Sequence, residues 1–306
     1  MKEKISVLLS TYNEKIEMIE QSVDSILNQT YTNFELLLIN DNPAREELDE
    51  FLIKVSQKDQ RINYIKHEKN MGLIDSLNAG IKCATGKYIA RMDADDISCE
   101  DRFEKQIKFL EDNSYDFIGC SVIKIDEAGR PIGRIIVPST YKDVCKYNNY
   151  GNCVLHPTWL VKKIVYDKLG GYRDVYACED YDFLVRAIQS SFRIGNVPEC
   201  LLFYRIRNDG ISESSYVRQK LTMYYIIKHK RNMNLISSED ITKYIQSSRY
   251  KKNAKLLIQY KKCIDQLRQD NTFNSILINF KVIFNKYLYI NLLAHLKIKQ
   301  REKLLK

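Results

Sequence analysis

The first hundred residues alternate two kinds of segment, and that alternation restricts the fold more than any other feature of the chain. Ile5–Ser10 is a short apolar run ending in a polar turn, Thr11–Glu14. Behind it Ile16, Ile19, Val23, Ile26 and Leu27 recur at the spacing of one helix face. Phe34–Ile39 is a second apolar run, and it ends at Asn40–Pro43, where the proline marks a turn. Leu48, Phe51, Leu52 and Val55 form the next helical stripe, and Ile62–Ile65 the next short strand. A helix is predicted over Leu73–Cys83, started at Gly72 and stopped at Thr85-Gly86, and a fourth strand over Lys87–Met92. Strands alternating with helices predict an α/β fold with a mainly parallel sheet flanked by helices. In such sheets ligands dock beyond the carboxyl ends of the strands. Thr11, Tyr12, Glu14, Asp41 and Asp93–Asp96 all follow strands, so they are expected along one edge.

After residue 100 the alternation weakens. Phe117–Ile125 and Ile132–Val137 flank Asp126–Arg130 and predict a hairpin. Ile164–Leu169 and Tyr181–Ile188 read as helices, and Leu201–Arg205 as a strand. Beyond Gly210 there is neither Gly nor Pro, so the remainder reads as helices. Charge breaks at the same place. Residues 216–306 carry 20 Lys/Arg against 5 Asp/Glu, whereas residues 1–215 carry 28 against 34. The chain therefore reads as a catalytic domain, 1–215, followed by a basic helical extension, 216–306. An acidic core suits a metal site, and a basic extension suits an anionic partner such as a phospholipid surface, a lipid-linked diphosphate or nucleic acid.

Four groups of residues carry chemistry. In Asp93-Ala94-Asp95-Asp96, three carboxylates repel one another unless a cation compensates them. Hard divalent cations prefer such oxygen ligands, and Mn2+ or Mg2+ is commonly shared between carboxylates and substrate phosphates. In Glu179-Asp180-Tyr181-Asp182 the acids start a helix, where the dipole favours them, and they also offer a general base. Asp180 is the expected base and Glu179 its orienting neighbour. Arg205 and Arg207 each suit a grip on a diphosphate leaving group or an ordinary surface ion pair. His156, ahead of Trp159, suits either packing or a phosphate or metal contact.

These residues sit within a longer series of ordered motifs: Val7–Asn13, Ser25–Tyr31, Phe34–Asp41, Asn70–Leu73, Asn78–Gly80, Ala84–Tyr88, Ala90–Asp96, Gly170–Tyr172 with Glu179–Asp182, and Tyr204-Arg205. Over roughly residues 4–215 the chain resembles the family 2 glycosyltransferases of bacterial surface-polysaccharide synthesis, which have the GT-A fold. The resemblance implies roles. Thr11, Tyr12 and Glu14 would surround the nucleotide, and Asp41 would hydrogen-bond the uracil ring. Asp93 would face the ribose, and Asp95, with Asp93, would hold the metal bridging the diphosphate. Asp180 would be the base of an inverting displacement, and Arg205 would steady the departing diphosphate. One departure stands out: the family often has Asp-Gly-Ser after the second strand, and here Asn42-Pro43 follows Asp41.

The implied activity is transfer of a hexosyl unit from a UDP-sugar to a hydroxyl of a lipid-linked saccharide, in O-antigen, capsule or related synthesis. A sugar-phosphate nucleotidyltransferase would favour a Gly-rich phosphate loop with a basic residue near the start, and Ser10–Glu14 has neither. A nucleic-acid binder using the basic extension would leave both acidic clusters without a role, so no nucleic-acid partner is expected. The eight cysteines have no metal-ligand spacing and read as reduced, cytoplasmic thiols. No signal peptide is read at the start. Ser275–Leu296 is too interrupted by Lys281 and Lys286 to span a bilayer. Between Ile276 and Ile298 apolar residues and lysines form an amphipathic stretch, which suits peripheral attachment to the inner face of the cytoplasmic membrane.

Overall fold

The computed structural model describes residues 2–175, 177–207, 215–230 and 236–269, with side chains as far as Ile258. Its residues group into two compact units. The first comprises 1–146, 153–174 and 186–207; the second comprises 147–152, 175–185 and the chain from 208 onward.

The first unit opens with β1 (Ile5–Thr11), α1 (Ile16–Leu27), β2 (Phe34–Asn40), α2 (Glu46–Ser56), β3 (Ile62–Lys66), α3 (Leu73–Cys83) and β4 (Tyr88–Asp93). Each expected strand and helix of the first hundred residues is present to within a residue or two at its ends. All seven residues of β2 are buried, as befits a strand covered on both faces. β1 lies between β2 and β4 and runs parallel to both, and β2 pairs in parallel with β3. The side chains of Leu36, Leu38, Val7, Leu9, Ala90 and Met92 share one core with Ile19, Val23, Ile26, Leu48 and Leu52 of the helices. Gly86 lets the backbone before β4 approach β1. A Cβ there would lie 2.7 Å from the Lys4 carbonyl oxygen, closer than any side chain tolerates.

The chain continues through β5 (Ile97–Ser98), α4 (Arg102–Asp112), β6 (Phe117–Ile125), β7 (Pro131–Ile135), α5 (Tyr141–Tyr147), a 3-10 turn at His156–Thr158, β8 (Leu160–Lys162) and α6 (Lys163–Leu169). It then passes through α7 (Glu179–Gln189) to β9 (Ile194–Arg205). The strand order is β3-β2-β1-β4-β8-β6-β9-β5, with β7 paired to β6 as the expected hairpin. Most paired residues are parallel. β8 is inserted antiparallel between β4 and β6, and the short β5 pairs antiparallel with β9. β9 extends well beyond the expected Leu201–Arg205. Its register against β6 jumps from Cys120–Val197 to Ser121–Cys200, which bulges Pro198 and Glu199 out of the ladder. A proline cannot donate to a ladder, so the bulge is where the strand accommodates it.

In the second unit α8 (Tyr216–His229), α9 (Ser238–Gln246) and α10 (Ser248–Gln269) follow one another. Ser237 starts α9 through a reciprocal capping box with Asp240. Leu221 and Leu257 form a small buried cluster with Tyr216, Val217, Tyr250 and Ala254. Among the described residues no helix is long and apolar enough to cross a membrane. The amphipathic stretch Ile276–Ile298 lies outside the described residues, as does 208–212.

Candidate active site

Register brings the polar ends of β1, β2 and β4 together. Thr11 pairs with Asn40, and Ser10 with Asp93, so the turns after these strands share one sheet edge. The Asp41 amide donates to the Thr11 carbonyl at 3.0 Å, and the Asn42 side chain donates to Asn13 at 2.9 Å. Thr11 itself is buried and donates its hydroxyl to the Ile39 carbonyl at 3.0 Å. Tyr12 is exposed on this edge. Glu14 accepts from the Tyr12 amide at 2.7 Å, and Arg45 donates to the Glu14 carbonyl at 2.7 Å, which fixes the turn. Asp41 is buried, and its two oxygens accept from the Met71 and Gly72 amides at 2.7 and 2.9 Å. It thereby ties the end of β2 to the start of α3, where Gly72 adopts φ +83°.

The acidic loop after β4 is the most heavily charged part of this edge. Ligand oxygens of Asp93, Asp95 and Asp96 all lie within 4.8 Å of one another. Three arginines hold it. Arg91 is buried inside β4 and donates to Asp93 at 2.6 Å, and also to the Met92 and Leu8 carbonyls. Arg205, at the end of β9, donates its backbone amide to Asp96 at 2.8 Å. Its guanidinium reaches the carbonyls of Asp95 at 2.7 Å and Glu127 at 2.9 Å, and the Gln21 side chain at 2.9 Å. Arg207 pairs with the Asp95 carboxylate at 3.1 Å.

These cations do not satisfy every oxygen of the loop. Asp96 is fully buried, and its Oδ2 has no hydrogen-bond partner among the described residues. Burial, with repulsion from Asp93 and Asp95, pushes the Asp96 carboxyl well above the ordinary carboxylate range. Burial, with Asp93 and Glu14, pushes Asp95 up to about 6 even with Arg207 beside it. Mutually close carboxylates, one with an orphaned buried oxygen, fit a hard divalent cation. Asp96 belongs to that donor set as much as Asp93 and Asp95.

His156 lies half-buried in an aromatic group. Its Nε2 is 2.8 Å from the Tyr172 hydroxyl, and its ring meets Trp159 edge-on at 4.6 Å. Burial, with Arg91 nearby, holds its pKa well below the usual value, so the ring is neutral. The second acidic cluster lies in the second unit. Asp180 accepts from the Asn152 amide nitrogen at 2.7 Å and from the Tyr181 backbone amide at 2.6 Å. Glu179 and Asp182 are buried beside it.

Comparisons with known proteins establish the family and the fold. The model of glycosyl transferase family 2 matches residues 6–169. The O-antigen biosynthesis glycosyltransferase WbnJ of Escherichia coli is 32% identical over 238 residues, covering 76% of this chain and 92% of its own. The chain belongs to glycosyl transferase family 2. Its fold matches that of solved glycosyltransferases. TarS of S. aureus in complex with UDP-GlcNAc superposes with a TM-score of 0.58 at 18% identity, covering 80% of this chain and 74% of that one. The mannosyltransferase PcManGT from Pyrobaculum calidifontis, in complex with GDP-Man and Mn2+, gives 0.60 at 14% identity, covering 97% and 87%. At these identities the likeness establishes the fold, which is GT-A. This family 2 chain therefore carries its acidic loop and its β1 and β2 turns on a GT-A sheet.

Sequence reasoning singled out the loop but not what anchors it. Arg91 was legible in principle: it is the lone charge within the apolar run Tyr88–Met92, and a charge in a strand buried on both faces needs a partner. The reach of Arg205 to Gln21 and Glu127 had no such signal, because those residues are far apart in the chain.

Proposed function

We propose that the chain is an inverting hexosyltransferase that moves a sugar from a UDP-sugar to a hydroxyl of a lipid-linked saccharide in surface-polysaccharide synthesis. The observation that carries this reading is the acidic loop, with its orphaned Asp96 oxygen, at the carboxyl edge shared by β1, β2 and β4. The names of the E. coli relative and of TarS with UDP-GlcNAc support the pathway class and the donor class respectively. PcManGT with Mn2+ supports a divalent cation.

In this reading Tyr12 lies along the base, and Thr11 and Glu14 shape the turn around it. Asp41 holds the nucleotide edge in place through the Met71-Gly72 backbone. Asp93, Asp95 and Asp96 would hold Mn2+ or Mg2+, which supplies positive charge against the leaving diphosphate. Arg205 keeps the loop in shape, its donors being taken up by loop carbonyls, and Arg207 is the arginine nearest to a role at the diphosphate. Neutral His156 packs against Tyr172 and contributes no charge. Asp180, oriented by Asn152 with Glu179 as its neighbour, removes the proton of the acceptor hydroxyl as that oxygen attacks the anomeric carbon. One displacement without a covalent enzyme intermediate inverts the anomeric centre. Residues 1–215 form the catalytic domain, and the basic extension, 216–306, favours attachment to the inner face of the cytoplasmic membrane.

The test is nucleoside diphosphate release from a panel of UDP-, GDP- and dTDP-sugars, with Mn2+, Mg2+ or chelator, and with lipid-linked saccharide acceptors. Metal-dependent release from a UDP-hexose, with an inverted product by NMR, is expected. Asp180→Asn should leave UDP affinity in place and lower transfer by about 10²-fold or more. A retained anomeric configuration, or release indifferent to chelator, would sink the corresponding half of the proposal.

A further inference from the structure

The turn after β1 leaves an aromatic side chain, Tyr12, in solvent, yet it holds that residue from both sides of its backbone. The Tyr12 amide donates to the Glu14 carboxylate at 2.7 Å, and the Tyr12 carbonyl accepts from the Asn42 side chain at 3.3 Å. The same Asn42 nitrogen donates to Asn13 Oδ1 at 2.9 Å. The far end of the turn is tied as well. Arg45 donates its guanidinium to the Glu14 carbonyl at 2.7 Å and its backbone amide to the Asn42 carbonyl at 3.1 Å. Residues 12–14 and 42–45 thus close a ring of hydrogen bonds between two turns. Asn42 is fixed in its turn: its amide donates to Asn40 Oδ1 at 2.9 Å, and the Asn40 side chain donates to the Tyr64 hydroxyl at 3.0 Å. A proline disfavours helical backbone in the residue before it, so Pro43 narrows the conformations open to Asn42.

We propose that Asn42, with Arg45 at the other end of the turn, is a positioning residue that presets Tyr12 for the base of the nucleotide. The inference rests on Tyr12 lying along the base, as in the reading above. Water would satisfy the polar groups of an exposed turn nearly as well, so these bonds add little net stability. What they add is a fixed place for the residue between them. A side chain that must be ordered when its ligand arrives takes that cost out of the affinity, whereas one already held in place does not. The departure from the family pattern acquires a meaning here. Where the family often has Asp-Gly-Ser, this chain has Asp41-Asn42-Pro43. A glycine has no side chain to reach the β1 turn and leaves its backbone loose. Asn42 supplies the donor, and Pro43 restricts the backbone that carries it. The strap acts on nucleotide affinity through the Tyr12 ring, so its effect depends on that ring being present.

The experiment is a double-mutant cycle on nucleotide affinity. Isothermal titration calorimetry of the full chain with Mn2+ first ranks UDP, GDP and dTDP, and the tightest binder is then used throughout. The proteins are wild type, Asn42→Ala, Tyr12→Ala and the variant carrying both changes. Asn42→Ala should weaken binding by about 10-fold, the size expected when one side chain must be ordered on binding. In the Tyr12→Ala background the same change should matter by less than about twofold, because no ring is left to place. Arg45→Gln releases the other end of the turn and should show the same dependence on the ring, which keeps the cycle readable should Asn42→Ala not fold; a thermal melt of each protein decides that. Equal losses with and without the Tyr12 ring, or no loss in either strap variant, overturn the proposal and leave nucleotide binding standing. Absence of binding of every nucleoside diphosphate to wild type overturns the nucleotide reading and this inference with it.

Discussion

Two buried acidic sites lie at opposite ends of the same parallel strands, and they are built on opposite principles. At the amino-terminal end Glu35 of β2 faces Ser6 of β1. It accepts from the Ser6 hydroxyl at 2.6 Å, the Thr85 hydroxyl and amide at 2.7 and 2.8 Å, Asn63 at 3.0 Å and Lys4 at 3.2 Å. Those bonds outweigh the effect of burial and hold its carboxyl below the ordinary range. At the carboxyl-terminal end Asp95 and Asp96 are crowded by each other and by Asp93, and they are held above the range. One carboxylate has its partners within the protein and serves the fold. The others are answered only in part: Asp95 meets Arg207 and one Asp96 oxygen meets the Arg205 amide, while the second Asp96 oxygen has no partner among the described residues. A buried acid by itself says little about function; whether its lone pairs are satisfied says much more.

The comparison breaks most sharply by removing an acid from each end. Asp95→Ala should lower kcat/KM by about 10²–10³-fold or more while the melting temperature holds or rises, because it relieves burial of a carboxylate beside Asp93 and Glu14. Steady-state kinetics beside a thermal melt read both effects, and a destabilised, active variant would reverse the assignment. Glu35→Gln should do the converse. It keeps the shape but turns one acceptor oxygen into a donor, which then faces either Asn63 and Lys4 or Ser6 and Thr85, costing about 2–4 kcal/mol of unfolding free energy in urea. Its kcat/KM at a permissive temperature should stay within about twofold of wild type, and a larger loss would tie Glu35 to the site.

The smallest effect is a pH dependence of opposite sign at the two ends. Asp95 binds its proton more tightly in the folded protein than in the unfolded chain, so its contribution to stability is full below about pH 4 and is lost as pH rises through about 6. Asp96 extends that loss to higher pH. Glu35 contributes in the reverse sense: its stabilisation is present above its unfolded value and is lost on acidification. In the metal-free protein Asp95→Asn should therefore raise the melting temperature by a few degrees at pH 7.5 and hardly at all at pH 4.5. An equal rise at both pH values would mean that the carboxyl's charge is not what strains the loop.

Much of this was legible in the chain before any coordinates. The strand and helix limits from Ile5 to Asp93 follow from periodicity and from Gly and Pro punctuation, because those elements are local and each buries a regular face. The acidic loop was legible for the same reason: three acids crowd into four residues directly after an apolar run whose one charge is Arg91. The antiparallel insertion of β8 was not, since Leu160–Lys162 is too short to show alternation and its partners Tyr88–Ala90 and Phe117-Ile118 are distant. Nor was the amino-terminal half of β9, where Pro198 argues against a strand and only the bulge opposite Cys120 and Ser121 reconciles it.

The sequence by itself determined the alternating architecture, the family and the identity of the acids at the sheet edge, because each is written in residues that are neighbours or nearly so. Only the tertiary structure decided which charges are answered. Glu35 meets Ser6 and Thr85, Asp93 meets Arg91, Asp95 meets Arg207, and one oxygen of Asp96 meets no donor among the described residues. Whether a buried charge finds its counterpart depends on strands and loops brought together from up to a hundred or so residues away, and the energy of such a pair depends on distance and shielding, neither of which a linear sequence carries.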